Sequence, residues 1–147
     1  MAIFDAFNIN TSGLALERFK LDTISTNIAN VNTTRGENNE PYRKKTVLFT
    51  ESLKEQEQKW QTQAAQPQSK SMGVRVVGLE ESQEEFNQVY QPDHPDADEN
   101  GYVSLPNVNI SDEMVQMMET VRTYEANVSA FESSKNMMRK ALEISKD

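Results

Sequence analysis

Residues 114–142 read MVQMMETVRTYEANVSAFESSKNMMRKAL, and this stretch decides the fold. Its apolar residues recur in alternating steps of three and four, which is the spacing of a helix that packs along a seam. Lys135 is the polar exception. The two rows of the seam are Met114, Val121, Val128 and Leu142 on one side and Met117, Tyr124, Phe131 and Met138 on the other.

Polar residues mark the start of this helix. Ser111 is a suitable N-cap, and Asp112 and Glu113 put negative charge in the first turn, where the helix dipole favours it. We therefore predict a helix over 112–146 within a C-terminal region 109–147. Met118 and Met137 lie off the seam, and their flexible thioethers suit contacts with neighbouring chains.

The N-terminal region, residues 1–32, carries a weaker version of the same pattern. Its apolar residues follow heptad spacing on two rows, Phe7, Leu14, Leu21 and Ile28 on one and Ile24 and Val31 on the other. We predict a helix over 3–31. Asn27, Asn30 and Asn32 are expected to end it, because asparagine tolerates the left-handed conformation found at helix C-termini.

The middle region, residues 33–108, has a different composition. Short runs rich in Val, Phe and Tyr, bounded by Pro and Gly, predict strands at 42–49, 74–79, 86–90 and 102–105. Within the Gln-rich stretch 51–71, residues 55–70 fit a loop or a short amphipathic helix, and the loop is favoured. The basic cluster 42–45, YRKK, fits a solvated strand edge or, second, a patch for an acidic partner. The fold class is therefore α+β.

Composition excludes several classes of function. Hydrophobic residues make up 36% of the 147, so a compact globule is short of core material and an elongated or partner-dependent fold is favoured. The net charge of -8 opposes nucleic acid and anionic lipid. Cysteine is absent, and neither a cleavable signal peptide nor a membrane-spanning stretch is expected.

Residues 96–103, DADENGYV, match the first half of a calcium-binding loop, with Asp96, Asp98 and Asn100 as candidate ligands. Asn107 stands where that loop requires a glutamate, so a polar turn before a strand is the favoured interpretation and calcium binding the alternative. The single histidine, His94, has no catalytic motif around it. We expect no metal, no cofactor and no enzymatic activity.

Five segments together resemble a known family. Residues 12–33, SGLALERFKLDTISTNIANVNT, are similar to the shared signature of bacterial flagellar rod and hook proteins. Three further parts resemble the proximal rod proteins of the C type: 41–45, PYRKK; 90–97, YQPDHPDA, with 101–108, GYVSLPNV; and 113–128, EMVQMMETVRTYEANV. The Gln-rich stretch departs from the family pattern by its length.

The resemblance implies a structural subunit whose long terminal helices pack as an antiparallel coiled coil, with a small β-rich insertion in the middle of the chain. It implies assembly into the helical drive shaft that transmits motor torque and encloses the export channel. Implied partners are copies of the chain, other proximal rod proteins, the adaptor beneath the rod, the distal rod and the flagellar export apparatus. The implied location is the basal body, in the periplasm or cell-wall zone, without a cleaved signal peptide.

The seam residues are the predicted assembly interface: Phe7, Leu14, Leu21, Ile24, Ile28, Val31, Met114, Met117, Val121, Tyr124, Val128, Phe131, Met138 and Leu142. The alternative function is a calcium-binding module or a coiled-coil scaffold unrelated to flagella.

Overall fold

The computed structural model describes residues 2–36, 39–54 and 70–144. The elements follow the order α1 (Ala2–Ala29), β1 (Lys45–Lys54), β2 (Lys70–Glu81), β3 (Asn87–Tyr90), β4 (Tyr102–Leu105) and α2 (Ile110–Ile144). Strands β1 and β2 form one two-stranded sheet, and β3 and β4 form another. The α+β prediction is confirmed. Most of the Gln-rich stretch, 55–69, lies outside the described residues.

The chain forms two compact units. The first consists of Met1–Arg18, Phe49–Val77 and Arg122–Asp147, and the second consists of Phe19–Leu48 and Gly78–Val121. Each helix and the β1–β2 pair thus contribute residues to both units.

In the first unit, α1 and α2 pack with opposite directions. The ring of Phe7 meets that of Phe131 edge-on, with 4.9 Å between centroids. Further along α1, Gly13 lies against Asn127, and a Cβ at Gly13 would come within 3.2 Å of the Asn127 amide nitrogen. Rising residue numbers on one helix therefore meet falling numbers on the other, as an antiparallel pair requires.

Strand β2 is tied to α1 within the same unit. The Ser12 hydroxyl donates to the Ile9 carbonyl at 2.7 Å and accepts from the Val74 N–H at 3.1 Å. Gly73 has φ of +98°, and any Cβ there would collide with the Ser12 hydroxyl. Both the backbone conformation and the close approach therefore require glycine at this position.

The second unit has a small apolar core. Ile24 of α1, Val47 of β1, Val103 of β4 and the nearby Val108 are buried. Strands β3 and β4 are antiparallel, with Tyr90 opposite Tyr102. These buried side chains come from the end of α1, from β1 and β4, and from the segment between β4 and α2.

The structure corrects the predicted mechanisms by which α2 begins and α1 ends. Helix α2 begins at Ile110, and its N-cap is Asn109 instead of Ser111, because the Asn109 side-chain oxygen accepts from the Ser111 N–H at 3.0 Å.

Helix α1 ends near the predicted place by a different mechanism. Asn39 is the one non-glycine residue with positive φ among those described, so Asn27, Asn30 and Asn32 are not left-handed. The chain leaves the helix through i to i+3 hydrogen bonds, and the Asn30 amide donates to the Thr26 carbonyl at 2.9 Å.

Candidate functional site: a buried polar network beside an exposed apolar stripe

The Asn27 side chain makes the central hydrogen bonds of a buried network in the second unit. This side chain is 1% exposed, and Asn27 lies inside α1. The amide nitrogen donates to the Lys45 carbonyl at 2.9 Å and to a Glu113 carboxylate oxygen at 3.0 Å. The amide oxygen accepts from the Tyr42 hydroxyl at 2.8 Å and from the Lys45 N–H at 3.0 Å. Every hydrogen-bonding position of this amide is therefore used.

Glu113 contributes a negative charge to the same network. Its side chain is 0% exposed, and the second carboxylate oxygen lies 2.7 Å from Nζ of Lys44. The Lys44 N–H also donates to the side-chain oxygen of Asn107 at 3.0 Å. The ion pair between Lys44 and Glu113 and the amide of Asn27 thus join α1, the segment before β1 and the start of α2.

The basic cluster is not a solvated strand edge, and that prediction was wrong. Its acidic partners belong to the same chain: Lys44 pairs with Glu113, and Lys45 lies 3.6 Å from Glu81. Arg43 covers the Phe86 ring at 4.3 Å. Half-burial of the cluster requires such partners, since an unpaired cation under the surface loses its hydration.

The negative charges here act on Tyr42. Burial, followed by the charges of Glu113 and Glu81, raises the pKa of Tyr42 above its ordinary value of 10.0. The phenol is therefore held neutral, and its hydroxyl remains a donor to Asn27.

An exposed apolar stripe runs along α2 beside this network. Ile110, Met114, Met118 and Val121 are 42%, 52%, 57% and 38% exposed, and Val115 next to them is exposed as well. Steps of four, four and three place the four stripe residues on one side of the helix. By contrast, the buried side chains of α2 are Glu113 and Thr120, both polar.

The predicted seam of α2 splits between these two environments. Met117, Val128, Phe131 and Met138 are half-buried. Met114, Val121, Tyr124 and Leu142 are exposed. On α1, Ile24 is buried, and Phe7, Leu14, Leu21 and Ile28 are half-buried. Val31, which follows the end of α1, is half-buried as well. Met118 and Met137, predicted to lie off the seam, are exposed.

The candidate calcium ligands have partners within the chain. One Asp96 oxygen lies 2.7 Å from the Arg35 guanidinium, and the other accepts from the Thr34 hydroxyl at 2.8 Å. Asp98 accepts from the N–H groups of Asn100 and Tyr102 through one side-chain oxygen. The segment is thus a polar turn before β4, and the calcium alternative is not favoured.

Over the ranges 2–36, 39–54 and 70–144, no cluster of three or more His, Asp or Glu side chains is placed to hold a metal ion. Within those ranges, neither helix has an apolar window that would let it cross a membrane.

Sequence reasoning missed the network because its members are distant in sequence. One signal was available: Glu113 lies four residues before Met117 and seven before Thr120, on the side of the helix that turns inward.

The chain has two long terminal helices, a buried polar network whose groups bond to one another, and an exposed apolar stripe on α2. These features are typical of a structural subunit. Comparison with known proteins supports this class. The family model for flagella basal body rod proteins matches residues 7–35. The model for the C-terminal part of the flagellar basal body rod FlgEFG proteins matches residues 99–144.

Curated relatives match over nearly the whole length. The flagellar basal-body rod protein FlgC of Bacillus subtilis is 39% identical, over 99% of this chain and 100% of its own. FlgC of Borreliella burgdorferi is 38% identical over 98% of both chains, as is FlgC of Salmonella typhimurium.

The chain belongs to the FlgC family of flagellar basal-body rod proteins. It is a structural protein of the flagellar basal body and not an enzyme, as its relatives' names confirm.

Proposed function

We propose that this rod protein polymerises into the helical drive shaft that transmits motor torque and encloses the export channel. The single observation that carries the proposal is the stripe of Ile110, Met114, Met118 and Val121, which is exposed in the single chain. Contiguous apolar side chains on a soluble protein mark a surface for another macromolecule.

The assembly interface of this proposal is the set of predicted seam residues, which lie on both helices except for Val31 just after α1. It consists of Phe7, Leu14, Leu21, Ile24, Ile28, Val31, Met114, Met117, Val121, Tyr124, Val128, Phe131, Met138 and Leu142. Half-buried members such as Phe131 support the pairing of α1 with α2, and exposed members such as Met114 are available to neighbouring subunits. The split of the seam therefore fits a helix that serves both its own chain and the next.

The proposed partners are copies of this chain, other proximal rod proteins, the adaptor beneath the rod, the distal rod and the export apparatus. The proposed route is flagellar export without a cleaved signal peptide, to the periplasm or cell-wall zone. The relatives' names as basal-body rod proteins support a place within this assembly.

Deleting the gene tests the proposal. We expect the deletion strain to lack external flagella and to be unable to swim in soft agar. The same gene on a plasmid should restore both flagella and swimming. Purified basal bodies from the restored strain should contain this chain by mass spectrometry. A deletion strain that swims and carries normal flagella would refute the proposal.

A further inference from the structure

At the start of α2, the side that packs against the rest of the chain is less apolar than the side that is exposed. Glu113 and Thr120 are buried and Met117 is half-buried. Met114 and Met118 are 52% and 57% exposed. At 3.6 residues per turn, Met114 lies about 100° around the helix from Glu113. Rolling α2 by roughly that angle would bury methionines in place of a carboxylate.

Apolar burial alone favours the rolled orientation, because it removes thioether side chains from water. The network opposes it. Asn27 and Lys44 hold the two Glu113 oxygens at 3.0 and 2.7 Å, from two different segments of the chain. Withdrawing the carboxylate would leave an amide N–H and an ammonium under the surface without their partner.

We propose that Glu113 is a positioning residue that fixes the rotation of α2 about its own axis. With Asn27 and Lys44 bound to its carboxylate, the helix keeps Met114 and Met118 outward. Removing the ion pair lets α2 roll so that its own chain covers the stripe. The use of the stripe for docking rests on the function proposed above, whereas the rotation itself does not.

Methionine oxidation measures this rotation directly. The purified full chain is exposed to dilute hydrogen peroxide, and tandem mass spectrometry follows the sulfoxide at Met114, Met117 and Met118. In the wild type we expect Met114 and Met118 to oxidise before Met117, because they are more exposed. In the double variant K44M/E113L we expect the order to reverse.

Glu125→Leu is the matched control, since it makes the same kind of change at an exposed position of the same helix. It should keep the wild-type order. The proposal is overturned if K44M/E113L keeps that order too, or if the wild type shows no preference among the three methionines.

A second variant covers the case in which K44M/E113L loses its helical circular dichroism. E113Q keeps the side-chain shape and an oxygen that accepts from Asn27, but it has no charge to pair with Lys44. Oxidation of Met117 relative to Met118 should rise, and an unchanged ratio would overturn the proposal. A reversed order in a strain that still swims would count against the proposed function and leave the rotation standing.

Discussion

The two units of the chain join α1 to α2 by different chemistry. In the first unit, the ring edge of Phe7 meets Phe131, and Gly13 allows Asn127 to lie close. In the second unit, the amide of Asn27 meets the carboxylate of Glu113, and both side chains are almost fully buried.

This difference matters for how tightly each unit specifies its arrangement. Apolar burial is less directional than hydrogen bonding, so the contact of Phe7 with Phe131 constrains the register of the two helices less strictly than a hydrogen bond would. Buried hydrogen bonds have strict distances and angles, and a shifted register leaves them unmade. The hydrogen-bond network of the second unit therefore specifies one register of α1 against α2 within that unit.

The largest effect is expected in the first unit at Val128, which is half-buried on α2. V128D puts an unpaired carboxylate into the proposed interface, which costs several kcal/mol where neighbours exclude water. The variant should be exported but build no rod, so its cells do not swim. S129D adds the same charge at an exposed position and should swim, as read in soft agar. Equal motility of the two strains would remove Val128 from the interface.

In the second unit, Lys44→Met leaves the fully buried Glu113 without a cation. We expect the free energy of unfolding in urea to fall by about 3 kcal/mol, near the lower end for broken buried pairs because Lys44 is partly exposed. The double variant K44M/E113L should regain most of the loss, since it removes both charges. If K44M were as stable as the wild type, the ion pair between Lys44 and Glu113 would not stabilise the second unit.

The contact between β2 and α1 provides a smaller effect. Gly73→Ala forces a side chain onto the Ser12 hydroxyl at a φ of +98°, and we expect a loss of roughly 1–3 kcal/mol in the same assay. Gly78→Ala is the control in the same strand, because nothing lies within 4 Å of its Cβ position. It should change stability by less than about 0.5 kcal/mol. Similar losses for both would indicate a general preference for glycine in β2.

The smallest effect concerns pH. The pKa of Tyr42 is raised in the folded state above its ordinary 10.0, so the neutral phenol stabilises the fold fully below pH 10.0. That contribution is lost as the pH rises from the unfolded value through the folded one. The wild type should therefore lose more stability than Tyr42→Phe between about one unit below and about one unit above pH 10.0, as measured by urea midpoints.

A control separates this effect from a lost hydrogen bond. Below pH 10.0, Y42F lacks the hydroxyl that donates to Asn27, and it should be less stable by about 0.5–1.5 kcal/mol. Lysines titrate in both proteins, so only the difference between them reports Tyr42. Parallel pH profiles would mean that burial and the charges of Glu113 and Glu81 do not raise the pKa of Tyr42.

Local patterns in the sequence predicted most of the fold. The heptad spacing from Met114 to Leu142 gave α2 to within a few residues, and short β-branched and aromatic runs between Gly and Pro gave the strands. These features depend on neighbours in the chain, which a sequence displays directly.

The network could not be predicted in the same way. Asn27 and Glu113 are 86 positions apart, so their hydrogen bond exists only once the helices are paired. Asn27 therefore resembled a helix-ending asparagine, and Lys44 resembled a surface cation. The rotation of α2 was missed for the same reason, because heptad spacing identifies an apolar side but not whether its own chain or a neighbour covers it.

Met114→Asp tests most directly whether the outward stripe of α2 is an assembly surface. Met114 is exposed in the single chain, so M114D should unfold in urea within about 0.5 kcal/mol of the wild type. Gln116→Asp, exposed on another side of the helix, is the matched control.

Both variants are expressed in the deletion strain, and the amount of each in purified basal bodies is measured by quantitative mass spectrometry. We predict that M114D is exported but absent from basal bodies, while Q116D is present at the wild-type level. Incorporation of M114D at the wild-type level would contradict the account.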